Sequence, residues 1–143
     1  MSKYVIETKN LTKQYGTQKS VADLNIHVKQ GRIYGLLGRN GAGKTTTMKM
    51  LLGLTQPTSG EVTIWGQPLR TNEKKLLPRI GYLIESPGFY PNLTATENLR
   101  IFATLRGVPS HNAIKNALDL VGLPYKDKKL FSQYSLGMKQ RLA

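Results

Sequence analysis

The segment Gly38-Arg39-Asn40-Gly41-Ala42-Gly43-Lys44-Thr45 constrains this chain more than any other stretch. It follows a short apolar run, Arg32-Ile33-Tyr34-Gly35-Leu36-Leu37, which reads as a buried strand. From about Gly43 to Leu52 the pattern turns helical, and Gly53 ends it. A strand, a glycine turn and a helix in that order aim successive backbone N–H groups at one point. The helix N-terminus adds a partial positive charge there. The stretch matches G-x-x-x-x-G-K-[ST] in full, so the expected ligand is the phosphate chain of a nucleoside triphosphate. Lys44 is placed to reach the β- and γ-phosphates, and the Thr45 hydroxyl to ligate Mg²⁺. Gly38, Asn40, Gly41, Ala42, Gly43 and Thr46 complete the expected cradle. A glycine-rich turn that happens to precede Lys-Thr is the bland reading, and the strand-to-helix context opposes it.

Composition sets the outer bounds. The chain has 143 residues, a length that suits one domain with a real core. It has no cysteine, which excludes disulfide scaffolds, thiolate metal sites and cysteine nucleophiles. No apolar run is long enough to span a bilayer, and Met1–Val5 carries no apolar leader, so a cytoplasmic protein is expected. The formal charge is +13, which invites a nucleic-acid reading. Its distribution argues against one. Residues 1–72 hold 10 basic and 3 acidic groups and residues 73–143 hold 11 and 5, with no basic tail.

Around the glycine loop, Tyr4-Val5-Ile6-Glu7-Thr8 reads as a strand, and Val21–Val28 alternates at period two over most of its length. Gln56–Gly60 is a turn, Glu61–Trp65 another strand, and Ile80-Gly81-Tyr82-Leu83-Ile84 a further buried strand. The character then changes. Ser86–Pro91 reads as a loop, and Thr94-Ala95-Thr96-Glu97 is a capping box that opens a helix to about Arg106, stopped by Gly107-Val108-Pro109. Ser110 can cap the next helix, which puts Ile114, Leu118 and Val121 on one face and ends at Gly122. The expected division is a β-rich portion with the glycine loop over residues 1–84 and a helical portion over 85–143.

Far downstream lies Tyr134-Ser135-Leu136-Gly137-Met138-Lys139-Gln140-Arg141. Together with the phosphate loop, this resembles the signature motif of ABC-transporter ATP-binding subunits. Ser135, Gly137, Gln140 and Arg141 match that motif; Leu136 replaces its first glycine and Met138 its first glutamine. Tyr15, in Lys13-Gln14-Tyr15-Gly16, sits where the family places an aromatic ring that stacks on adenine. Ser59-Gly60-Glu61-Val62-Thr63-Ile64-Trp65-Gly66 is similar to the family's strand after the phosphate-loop helix. The resemblance implies an α/β fold of the P-loop NTPase class. In it an ABC-type ATP-binding core is joined by an antiparallel β subdomain and a helical subdomain.

The same resemblance implies ATP and Mg²⁺ as cofactors and a second ATP-binding subunit as partner. In the resulting head-to-tail dimer, Ser135 and Gly137 of one copy would cover the ATP held by the other. It also implies an integral membrane subunit and a peripheral position at the inner face of the cell membrane. A soluble, non-transporting family member acting on RNA or DNA is the alternative, and a remnant that only binds nucleotide is a third.

One departure concerns the loop in which the family usually carries a glutamine. Here Ile80–Ile84 delivers Glu85, whose carboxylate would add a negative charge beside the metal and take a catalytic, Mg²⁺-binding place; a surface Glu capping the loop is the other reading. Glu85 with Ser-Leu-Gly-Met is similar to the subgroup that exports bacitracin and lantibiotic-type peptides. The family's apolar strand ending in Asp, its following catalytic Glu and its switch His are not found after Arg141, and His27 and His111 lie too early. The resemblance thus covers about the first 60% of such a subunit, with the C-terminal part missing. It implies ATP binding without appreciable turnover. It also implies an uncovered sheet edge that favours self-association or incomplete order near the C-terminus.

Overall fold

A computed structural model describes residues 3–84, 88–108 and 111–143. They fall into two compact units, Met1–Ile84 and Glu85–Ala143.

In the first unit, β1 (Tyr4–Tyr15) pairs antiparallel with three others: β2 (Gln18–Leu24), β3 (His27–Lys29) and β4 (Ser59–Ile64). A short β5 (Gln67–Pro68) completes the sheet, whose order is β2-β1-β4-β5 with β3 also on β1. The strand expected over Tyr4–Thr8 is therefore longer, and the one expected over Val21–Val28 is split. The break has a visible cause. The buried Thr8 hydroxyl accepts from the Ile26 N–H at 2.9 Å and donates to the Leu24 carbonyl at 2.8 Å, substituting side-chain bonds for the ladder at Asn25–Ile26. One face of the sheet is covered by α1 (Lys44–Leu51) and α2 (Leu69–Leu76). Leu11, Val21, Met50, Val62, Ile64, Leu69 and Leu76 form the buried cluster between them. Helix α2 lies in a stretch that reads only as polar, because its apolar anchors, Leu69 and Leu76, stand at its two ends.

Two expected buried strands are not formed. Neither Arg32–Leu37 nor Ile80–Ile84 is in a strand or pairs with one among the described residues. Ile33 and Leu37 are almost fully exposed (103% and 92%), and Tyr82 and Leu83 are exposed as well. An apolar run shows that a segment prefers a dry neighbour; it does not supply one. Without a hydrogen-bonding partner at its edge, a backbone gains nothing from the β conformation.

In the second unit, α3 (Ala95–Leu105), α4 (His111–Leu120) and α5 (Leu136–Leu142) surround Ala95, Ile114, Leu118, Leu123, Tyr134 and Leu142. The capping box at the start of α3 is present in full: Thr94 N–H donates to Glu97 Oε2 at 2.8 Å, and Glu97 N–H to Thr94 Oγ1 at 3.3 Å. These bonds hold the Glu97 carboxyl below its ordinary value, first through the Thr94 backbone and hydroxyl, then through Arg100. Helix α4 ends at Leu120 and is closed by Gly122, at φ 65°, with Leu123 N–H bonded to the Leu118 carbonyl at 2.9 Å. Its expected cap Ser110 lies outside the described residues. Helix α5 is formed through Leu142, which is buried.

Candidate functional site

The phosphate loop is built on contact with β2. Gly43 has φ 81° and serves as the N-cap of α1. A Cβ placed on it would lie 2.3 Å from the Ser20 carbonyl oxygen and 2.9 Å from Val21 Cγ2, so only glycine fits. Gly41, with φ 83°, supplies the second left-handed turn, and the Ala42 N–H closes back on the Arg39 carbonyl at 3.1 Å. The helix that follows has no side-chain cap and no acidic residue in its first turn. Its leading N–H groups and its dipole therefore have no side-chain cap and no carboxylate from the helix's own first turn.

Lys44 lies back across this loop. Its Nζ donates to the Gly38 carbonyl at 2.6 Å and to the Arg39 carbonyl at 2.8 Å, which fixes the ammonium over the loop. Both acceptors are neutral carbonyls, so an anion arriving there would add a charge–charge attraction to the ammonium's hydrogen bonding. Gly38, Asn40, Gly41, Ala42 and Thr45 are exposed, and Thr46 is half-buried. The Thr45 hydroxyl is thus open to a hard cation held by phosphate oxygens. Among the described residues no group of three or more His, Asp or Glu is placed to hold a metal by itself. The donor set fits a Mg²⁺–phosphate pair.

Tyr15 is linked to the same strand. It stands opposite Gln18 at the end of the β1–β2 pair, two positions from Ser20, which backs Gly43. That spacing is about 7 Å along β2. The ring is 54% exposed. Glu85, expected beside the metal, lies outside the described residues.

In the second unit, Ser135 is the N-cap of α5 and its Oγ accepts from the Met138 N–H at 3.3 Å. Gly137 is exposed, and a Cβ there would meet nothing within 4 Å. Ser135, Leu136 and Gly137 therefore form an open helix start, while the adjoining Tyr134 is buried. Burial raises the Tyr134 phenol pKa, and Asp127 raises it further.

Two residues shape this unit through contacts that a motif match does not give. Arg141 Nη1 donates to the Val121 and Gly122 carbonyls, both at 3.2 Å, and so caps the C-terminus of α4. Asn98, fully buried inside α3, accepts from Tyr90 N–H at 2.8 Å. Its amide donates to the Tyr90, Leu93 and Thr94 carbonyls at 3.1, 3.4 and 3.0 Å. An Asn inside an amphipathic helix, where its propensity is poor, is the signal that points to it. Among the described residues no helix is long and apolar enough to cross a membrane.

The comparisons agree with this geometry. The family model described as ABC transporter matches residues 21–143. The bacitracin transport ATP-binding protein BcrA of Bacillus licheniformis is 59% identical over 138 residues, covering 96% of this chain and 45% of the relative. The lantibiotic transport ATP-binding protein SrtF of Streptococcus pyogenes is 41% identical, covering 96% of this chain and 58% of the relative. A solved ATP-binding subunit of an ABC transporter superposes with a TM-score of 0.78 at 31% identity, over 96% of this chain and 59% of that one. The chain thus spans about half the length of the curated relatives it matches.

Proposed function

This chain belongs to the ABC transporter family, and on that premise we propose that it binds ATP with Mg²⁺ as the nucleotide-binding part of a transporter subunit. The observation that carries the reading is Lys44, its ammonium held by the Gly38 and Arg39 carbonyls at the unblocked N-terminus of α1. In this reading the N–H groups of residues 41–46 take the β-phosphate and Lys44 bridges β and γ. The Thr45 hydroxyl holds Mg²⁺, which neutralises phosphate charge when bound, and Tyr15 offers its ring to adenine. Glu85 takes a metal-side, catalytic place.

Ser135 and Gly137 would cover the nucleotide of a second, head-to-tail copy, their open helix start supporting that role. The pair would drive an integral membrane subunit from the cytoplasmic face. The printed names of BcrA and SrtF support export of antimicrobial peptides as the purpose of that work.

Calorimetric titration with ATP, with and without Mg²⁺, tests the reading. It requires saturable binding, a loss of at least tenfold in Lys44→Ala, and loss of the Mg²⁺-dependent gain in Thr45→Ala. Steep, salt-dependent RNA binding that survives Lys44→Ala would move the chain to the soluble, nucleic-acid branch of the family.

A further inference from the structure

Lys13 lies where the phosphate loop, the Tyr15 ring and the turn after α1 come together. Its backbone pairs with Val21, whose side chain packs against Gly43. Its Nζ donates to the Gln56 carbonyl at 2.7 Å and stands 5.0 Å from the centre of the Tyr15 ring. Residues two apart on a strand project to the same face, which is why Lys13 meets Tyr15 and not Gln14. Two further bonds tie the tip to the same turn: Gln14 N–H donates to Thr58 Oγ1 at 3.0 Å, and Thr58 N–H to the Thr12 carbonyl at 2.9 Å. A third, from Gln14 Nε2 to the Gly16 carbonyl at 2.8 Å, stiffens the tip itself.

We propose that Lys13 is a positioning residue for the nucleotide base, acting through Tyr15 and not on the phosphates. The proposal rests on the ATP-binding reading above and adds a specific residue to it. A hairpin tip with an exposed ring would ordinarily sample several rotamers, and a base that stacks on it must first order it. Anchored at Gln56, the ammonium stands over one face of the ring and fixes its rotamer, while Tyr15 as a residue remains exposed to a flat partner. The cation also draws π-electron density toward itself. The outer face then repels the electron-rich face of a purine less. Because the anchor lies in the connection from α1 to β4, the platform is tied to the helix that Lys44 opens.

The test is titration of the chain with ATP and, separately, with tripolyphosphate, which has the phosphates and no base. Lys13→Met and Lys13→Gln are expected to weaken ATP about three- to tenfold and to leave tripolyphosphate affinity unchanged. Lys13→Arg, which keeps a cation over the ring, restores most of the ATP affinity. In a Tyr15→Ala background the Lys13→Met effect disappears. Equal losses for ATP and tripolyphosphate would show the charge acting on phosphate and overturn the proposal. So would an undiminished Lys13→Met effect without Tyr15, or unchanged ATP affinity in both neutral variants. If the wild-type chain binds neither ligand, the ATP-binding reading itself falls, a result distinct from all of these. Unchanged thermal unfolding of the variants confirms that the comparison is made on folded protein.

Discussion

The Ser20 carbonyl oxygen lies so near Gly43 that a Cβ on the glycine would sit 2.3 Å from it, backbone against side chain. Strand β2 thereby moulds the phosphate loop, and the loop's shape becomes part of the stability of the first unit. Gly43→Ala pays for a left-handed conformation and for a backbone clash, and is expected to destabilise by about 2–4 kcal/mol. Gly137 gives the contrast: it sits in α5 with open space around it. Gly137→Ala should be neutral or stabilising by up to about 1 kcal/mol. Urea midpoints at constant slope measure both.

Asn98 organises the turn that leads into α3. Asn98→Ala leaves the Tyr90 N–H without its Asn98 partner and removes one of two donors from each of the Tyr90, Leu93 and Thr94 carbonyls in a part-buried place. The expected cost is about 2–4 kcal/mol. Amide exchange should show it as lost protection at Tyr90 and faster opening of the first turn of α3, with α1 unaffected.

Glu97 makes the second unit sensitive to acid. Its pKa is lowered in the folded chain, so the unfolded state binds a proton first as pH falls. The stabilisation is complete above the ordinary value of 4.5 and is lost as pH drops through the depressed folded value. Glu97→Gln should therefore lower the melting temperature at neutral pH, and the gap from wild type should narrow and close as pH falls below 4.5 and through the depressed folded value. A gap that stays constant to low pH would place the effect elsewhere.

Arg141 links the signature segment to α4 by capping its last carbonyls. Arg141→Met keeps the aliphatic stem and removes the cap, and should cost about 0.5–1 kcal/mol. The matching change in amide exchange belongs at Gly122 and Leu123. High salt should weaken the effect, since the contact is exposed.

Legibility from sequence followed the range of the forces involved. The glycine loop, the helix it opens and the capping box of α3 depend on residues within a few positions of each other, and all three are present as read. The same holds for the face of α4 that carries Ile114 and Leu118. Where tertiary partners decide, reading failed. Arg32–Leu37 and Ile80–Ile84 have the composition of buried strands, yet among the described residues neither has a strand to pair with. The split between β2 and β3 turns on a threonine hydroxyl from a third strand, and helix α2 depends on contacts with β4, which local polarity conceals. In the site, Gly38 to Thr46 and Tyr15 were legible as motif positions. The bond from Lys13 to Gln56, and the contact of Ser20 with Gly43, exist only once segments distant in sequence have packed together.

The central claim is that phosphate binds at residues 41–46 beneath Lys44. Site-resolved amide NMR of the chain titrated with Mg²⁺–ATP tests it most directly. The account predicts that the largest saturable shifts fall on Gly41, Gly43, Lys44, Thr45 and Thr46, with a second set at Tyr15, and that Lys44→Ala abolishes both. Saturable shifts centred elsewhere, with the amides of residues 41–46 unmoved, would contradict it.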